Sequence, residues 1–100
     1  MKEIQLVHKI INWINQHENA HARKQHGGMY GTIGEPDITG CVNGRRIEIE
    51  VKLPGNEPTK IQLHRMKEWE RCGALTGVAH SLEEAQIILK DLIPCESSTK

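Results

Sequence analysis

What this chain lacks narrows its function before any motif is read. Thirteen basic residues are matched by thirteen acidic ones, so there is no net charge at pH 7. It is therefore not a generally basic nucleic-acid coat, and any contact with phosphates has to be local. Cysteine is scarce: Cys41, Cys72 and Cys95 are odd in number, widely separated and in no paired ligand spacing. They indicate neither a disulfide framework nor a zinc ribbon, and they fit a reducing cytoplasm. No apolar run is long enough for a signal peptide or a membrane span, and aromatic residues at 3% give no membrane belt. There is no internal repeat. A chain of 100 residues is expected to form one domain over 1–93, with a modest core that gains from dimerisation, and a short flexible tail over 94–100.

What is present centres on a hairpin. Pro36 to Val42, the dipeptide Asn43-Gly44 and Arg45 to Leu53 read as strand, tight turn and strand, because Asn-Gly favours a two-residue turn. Such a turn fixes the register. With Val42 opposite Arg45, Ile38 faces Ile49 and Asp37 faces Glu50, where side chains on one face lie roughly 5 Å apart. Alternation puts Glu48, Glu50 and Lys52 on one face and Ile47, Ile49 and Val51 on the other. Like charges set opposite each other destabilise a sheet unless something neutralises them. Carboxylate oxygens suit Mg²⁺ or Mn²⁺, which take one or two carboxylates plus water and phosphate oxygens. A neighbouring lysine can orient the attacking water or balance phosphate charge. That chemistry is metal-assisted phosphodiester hydrolysis. The alternative is an amphipathic strand whose charged face is simply solvated.

Gly34-Glu35-Pro36-Asp37, followed by Ile49-Glu50-Val51-Lys52 and then Gln62, resembles the VRR-NUC branch of the PD-(D/E)XK nuclease superfamily over about Gly27 to Val78. The resemblance implies that Asp37 and Glu50 bind metal, that Lys52 assists the water and that Gln62 borders the site. It further implies a DNA endonuclease that leaves a 5′-phosphate, some members acting on branched DNA such as four-way junctions. Short members of this kind are homodimers, typically phage-encoded, which places them in the bacterial cytoplasm. Glu35 departs from the family pattern, which is more often apolar there, and adds negative charge near the site.

The rest of the chain predicts an α/β fold of the order αβββαβα, a mixed sheet flanked by helices as in a restriction-endonuclease-like core. Ile4, Val7, Ile11 and Ile14 predict a first helix over about Lys2 to Gln16. A strand is expected near Met29 to Ile33. Thr59-Lys60-Ile61-Gln62 reads as a capping box opening a helix to about Cys72, Ala74 to Ala79 as a strand, and Ser81-Leu82-Glu83-Glu84 as the start of a last helix ending near Pro94. A right-handed crossover would set that last strand parallel to the hairpin. Gln62 at the third helical position is also explained by the cap alone.

A first-helix glutamate often completes this kind of site. Glu3 lies on the stripe Glu3, Val7, Ile10, Ile14, and Glu18 lies at the far end, roughly 22 Å away along the helix. Only one can reach a common metal; the resemblance favours Glu3, and the other reading of Glu3 is a favourable charge at a helix start. Two basic groups are candidates for DNA contact. His21, Arg23, Lys24 and His26 fall in a segment without acids, and Lys60, His64, Lys67 and Arg71 form one helical stripe. Tyr30, among glycines, is a further DNA-facing candidate, whereas Trp13 and Trp69 read as core or dimer interface more readily than as base-stacking residues. A nuclease-fold module that binds DNA without cutting it is the alternative function. His17-Glu18-Asn19-Ala20-His21 also matches the H-E-x-x-H pattern of zinc proteases, which needs a helix to bring both histidines onto one face.

Overall fold

The chain's computed structural model describes residues 1–25 and 33–94. Most of the strand expected over 29–33, together with His26, Tyr30, Cys95 and the tail beyond Pro94, lies outside the described residues; Ile33 itself sits in a turn. Helix α1 spans Glu3–Asn15 and buries Leu6, Val7, Ile10 and Ile14. Ile4 is left exposed, because Leu6 and Ile10, one turn apart, join Val7 and Ile14 and swing the apolar arc away from it. Glu3 is in phase with that buried arc.

Past α1 the chain reverses through Asn19, whose φ is +60°, a left-handed conformation that Asn tolerates. It then enters β1, Ala20–Lys24. The segment read as a basic stretch is thus the first strand. This also corrects the zinc-protease reading: α1 has ended before His17, and His21 is in β1, so no helix face carries both histidines. The His17 ring instead packs edge-on against Trp13, at 5.0 Å between centroids.

Strand β1 pairs antiparallel with β2, Ile38–Val42, and β2 with β3, Arg45–Val51. Asn43 and Gly44 both have positive φ, +50° and +82°, which makes the turn type I′ and sets the expected register, Val42 against Arg45 and Ile38 against Ile49. Helix α2, Lys60–Arg71, crosses to β4, Leu75–Ala79, which lies parallel to β3. Helix α3, Leu82–Ile88, is shorter than expected. The Leu92 and Ile93 N–H groups return to the Leu89 carbonyl at 2.9 and 2.7 Å, and this tight turn buries both Leu89 and Ile93.

The sheet, ordered β1-β2-β3-β4, has two unlike faces. Ala22, Ile38, Val42, Ile47, Ile49, Val51 and Ala79 form the apolar face, packed with α1 and α3 residues into the core. Arg23, Asp37, Thr39, Arg46, Glu48 and Glu50 belong by alternation to the other. Among the described residues α2 is the element that covers that polar face, over its β3–β4 half. A side chain at Gly40 would run into the His21 carbonyl, so glycine there allows β1 to close on β2. On the outer edge of β1 the Asn15 amide accepts the Ala22 N–H at 2.8 Å and donates to the Ala22 carbonyl at 3.0 Å. No helix among the described residues is long and apolar enough to cross a membrane.

Candidate metal centre

Asp37 stands one residue before β2, and its position is fixed by the loop that delivers it. Gly34 has φ +87°, and a Cβ there would sit 2.9 Å from the Ile61 side chain; a glycine lets the loop pass under the start of α2. Glu35 accepts the Trp69 indole N–H at 2.9 Å, and Pro36 is fully buried. The Asp37 carboxylate then accepts the Val51 N–H at 2.9 Å, which sets it against the end of β3. Glu35, expected to add negative charge near the site, is bonded to α2.

Glu50 is 1% exposed. Its Oε2 lies 3.7 Å from Lys52 Nζ, and its Oε1 is buried without a hydrogen-bond partner among the described residues. Burial above all, and then the negative charge of Asp37, push its pKa from 4.5 up to about 8; Lys52 opposes this and Glu3 adds to it. Glu3 therefore stands close enough for its charge to be felt at Glu50, while Glu18 is exposed in the turn beyond the other end of α1. Lys52 is held by its own N–H, which donates to the Ala79 carbonyl at 3.0 Å, and its side chain is only 16% exposed. Asp37, Glu50 and Lys52 are brought together as the hairpin arithmetic requires.

Among the described residues no cluster of three or more His, Cys, Asp or Glu side chains has the geometry to hold an ion by itself. The donors at this place are a carboxyl pair, which is what Mg²⁺ or Mn²⁺ takes alongside water and phosphate oxygens. The buried, unpartnered Glu50 oxygen fits such a cation, because an orphaned acceptor of this kind costs about 1–3 kcal/mol until something satisfies it.

The remaining candidates separate. Gln62 completes a capping box: its side-chain oxygen accepts the Thr59 N–H at 2.9 Å, and its own N–H donates to Thr59 Oγ1 at 3.2 Å. Its side-chain NH₂ is the part left over for other duty. Arg23 shares the polar face with Asp37, whereas Lys24, one residue on, belongs to the opposite side. Lys60, His64 and Lys67 are exposed along the outward side of α2, about half a turn from Met66 and Trp69, which face the sheet; His64 is within 3.3 Å of Glu68. Sequence reasoning missed Arg46. Its Nε donates to Glu48 at 2.7 Å, and its guanidinium lies 4.3 Å over the Trp69 ring. The signal was available, since Arg46 has the same strand parity as Glu48 and Glu50.

A mixed four-stranded sheet with helices on both faces, with an aspartate just ahead of a tight hairpin and a glutamate and a lysine at its other end, defines a restriction-endonuclease-like α/β fold. The more particular match comes from solved structures. One described as a VRR_NUC domain superposes with a TM-score of 0.72 at 20% identity, over 88% of this chain and 94% of that one. A second, described as a VRR_NUC domain protein, gives a TM-score of 0.76 at 18% identity, over 93% of this chain and 88% of that one. The chain therefore has the VRR_NUC fold. No family model matches it, and no curated protein does either.

Proposed function

We propose that this protein is a divalent-metal-dependent DNA endonuclease. The observation that carries the reading is the unpartnered Glu50 oxygen, buried beside Asp37 and Lys52, on a fold shared with VRR_NUC domains. Asp37 and Glu50, with Glu3 at their margin, would hold Mg²⁺ or Mn²⁺. Such an ion supplies Lewis acidity toward a phosphoryl oxygen. Lys52 holds or moves a proton of the attacking water and offsets negative charge gathering on the phosphate. The Gln62 NH₂ group is available to border the bound phosphate. DNA is the polymer, branched DNA such as a four-way junction the preferred form, and a homodimer the working unit, since a single 100-residue domain has little surface with which to hold a branched duplex.

The test is cleavage of a labelled four-way junction and a matched linear duplex in Mg²⁺ and Mn²⁺, with wild type beside Lys52→Ala. Metal-dependent cutting by wild type alone supports the reading, and faster cutting of the junction supports the branched substrate. Binding without cutting in either metal would instead make this a nuclease-fold DNA-binding module. Light scattering that gives a monomer with full junction cleavage would overturn the dimer.

A further inference from the structure

Among the described residues α2 covers only half of the sheet's polar face, and the other half is where the protein's evenly balanced charge becomes locally positive. At the centre is Arg46. Its Nε donates to Glu48 at 2.7 Å, its Nη2 donates to Thr39 Oγ1 at 3.1 Å, and its guanidinium carbon lies 4.3 Å over the Trp69 ring. An arginine tied at three points has already lost most of its side-chain freedom, yet this one remains 49% exposed. It forms the ridge between two hollows. One, of about 240 Å³, is lined by His21, Arg23, Thr39, Gly40 and Cys41 as well as Arg46. The other, of about 310 Å³, lies between Arg46, Arg45 and Trp69. Arg23 and His21 stand together, 3.3 Å apart. None of the described residues lining either hollow is acidic, and Glu48, bonded to Arg46, is 1% exposed.

We infer that this half-face is the track for the phosphate backbone of the nucleic acid, with Arg46 as its fixed anchor and Arg23 and His21 as flanking contacts. The inference rests on the DNA reading above and adds which surface the DNA follows. A planar guanidinium already held over an aromatic ring and by two hydrogen bonds presents its remaining N–H groups to a phosphate at little further entropic cost. Arg46 is four residues from Glu50 along β3, so the anchor lies about 13 Å from the carboxyl pair. That is about four nucleotides by the axial rise of one strand. The anchor therefore acts on polymers and is out of reach of a small phosphodiester. The outward lysines of α2 point away from this track.

The experiment measures binding of a short labelled duplex at several salt concentrations in EDTA, where no cleavage occurs. It compares wild type, the double variant His21→Ala with Arg23→Ala, Arg46→Lys, and a control carrying Lys60→Ala with Lys67→Ala. Hydrolysis of bis(p-nitrophenyl) phosphate in Mn²⁺ is followed in parallel. The exposed β1 pair can be removed without touching the core, so the double variant is expected to fold. It should bind about tenfold more weakly and lower the slope of log K against log salt by about one. Arg46→Lys should bind several-fold more weakly, the control should change less than about twofold, and hydrolysis of the small diester should match wild type in the double variant. Unchanged affinity and slope in the double variant, a loss appearing in the Lys60 and Lys67 control instead, or no DNA binding by wild type would each overturn the inference. Groove-dependent binding with no hydrolysis of any substrate would leave it standing and remove the nuclease reading alone.

Discussion

Glu48 and Glu50 sit two residues apart on one face of one strand, both 1% exposed, and their surroundings are opposite. Glu48 has charged and neutral donors on one oxygen: Arg46 donates to its Oε2 at 2.7 Å and the Thr39 hydroxyl donates to the same atom. Glu50 has a lysine at 3.7 Å, another carboxyl beside it and one oxygen with no partner among the described residues. A buried charge that keeps its partners avoids the heavy penalty that falls on one left unpaired. The comparison shows that burial of an acid does not mark a functional site. What marks it is burial without compensation, next to a second group that makes the deficit worse.

The largest expected effect breaks the pair by activity. Glu50→Gln or Lys52→Ala should lower cleavage by roughly 10³-fold or more, while Glu48→Gln, which keeps a hydrogen-bond acceptor, should stay within several-fold of wild type in the same assay. Equal losses at both glutamates would erase the distinction.

Stability sharpens it next. The Glu50 pKa of about 8 in the folded chain lies above its ordinary 4.5, so the carboxyl imposes no penalty below pH 4.5, one that grows as pH rises from there to about 8, and its full penalty above that. Glu50→Gln should therefore match wild type near pH 4 and be clearly the more stable of the two at pH 9 in urea unfolding without metal. Mg²⁺ should raise the Tm of wild type and leave that of Glu50→Gln unmoved. Arg46→Ala should act in the opposite sense: it strands buried Glu48 and costs about 2 kcal/mol, measured by the same unfolding.

The smallest effect concerns the loop after Lys52. His80 has an acceptor at each ring nitrogen, Glu84 at 2.9 Å and the Asn56 carbonyl at 3.0 Å, with Glu57 at 3.7 Å. Both contacts require the doubly protonated ring. Its pKa is raised, chiefly by the Glu84 hydrogen bond, so the stabilisation is fully present below about pH 6.5 and is lost as pH rises through the raised value. His80→Ala should cost about 1 kcal/mol at pH 6 and much less at pH 9. A pH-independent difference would show that the ring acts by packing alone.

The parts of this molecule that were legible in the sequence are those set by local rules. Asn43-Gly44 fixed the hairpin and its register, Thr59 with Gln62 marked the start of α2, and alternation put Glu50 and Lys52 together. The parts that were not legible depend on distant chain. β1 escaped because three of its five residues are His21, Arg23 and Lys24, and its inward side is satisfied by small Ala22, which leaves no hydrophobic alternation to detect. Alternation predicts a wholly polar face for β3 but cannot tell which part of it α2 covers. The split between Glu48 and Glu50 therefore appears only once Trp69 has brought Arg46 down over one of them. The same limit applied to the α2 lysines, whose stripe was evident from spacing but whose outward direction depends on where Met66 and Trp69 dock.

The two hydrogen bonds between Asn15 and Ala22 carry a consequence for assembly. An amide side chain has the same donor and acceptor as a peptide unit, so Asn15 stands where the backbone of a fifth strand would begin to pair. A second copy approaching β1 edge to edge would first have to displace it, trading two formed bonds for two new ones. At Ala22 the sheet edge is thereby already paired, which works against its continuing into a neighbour on that side.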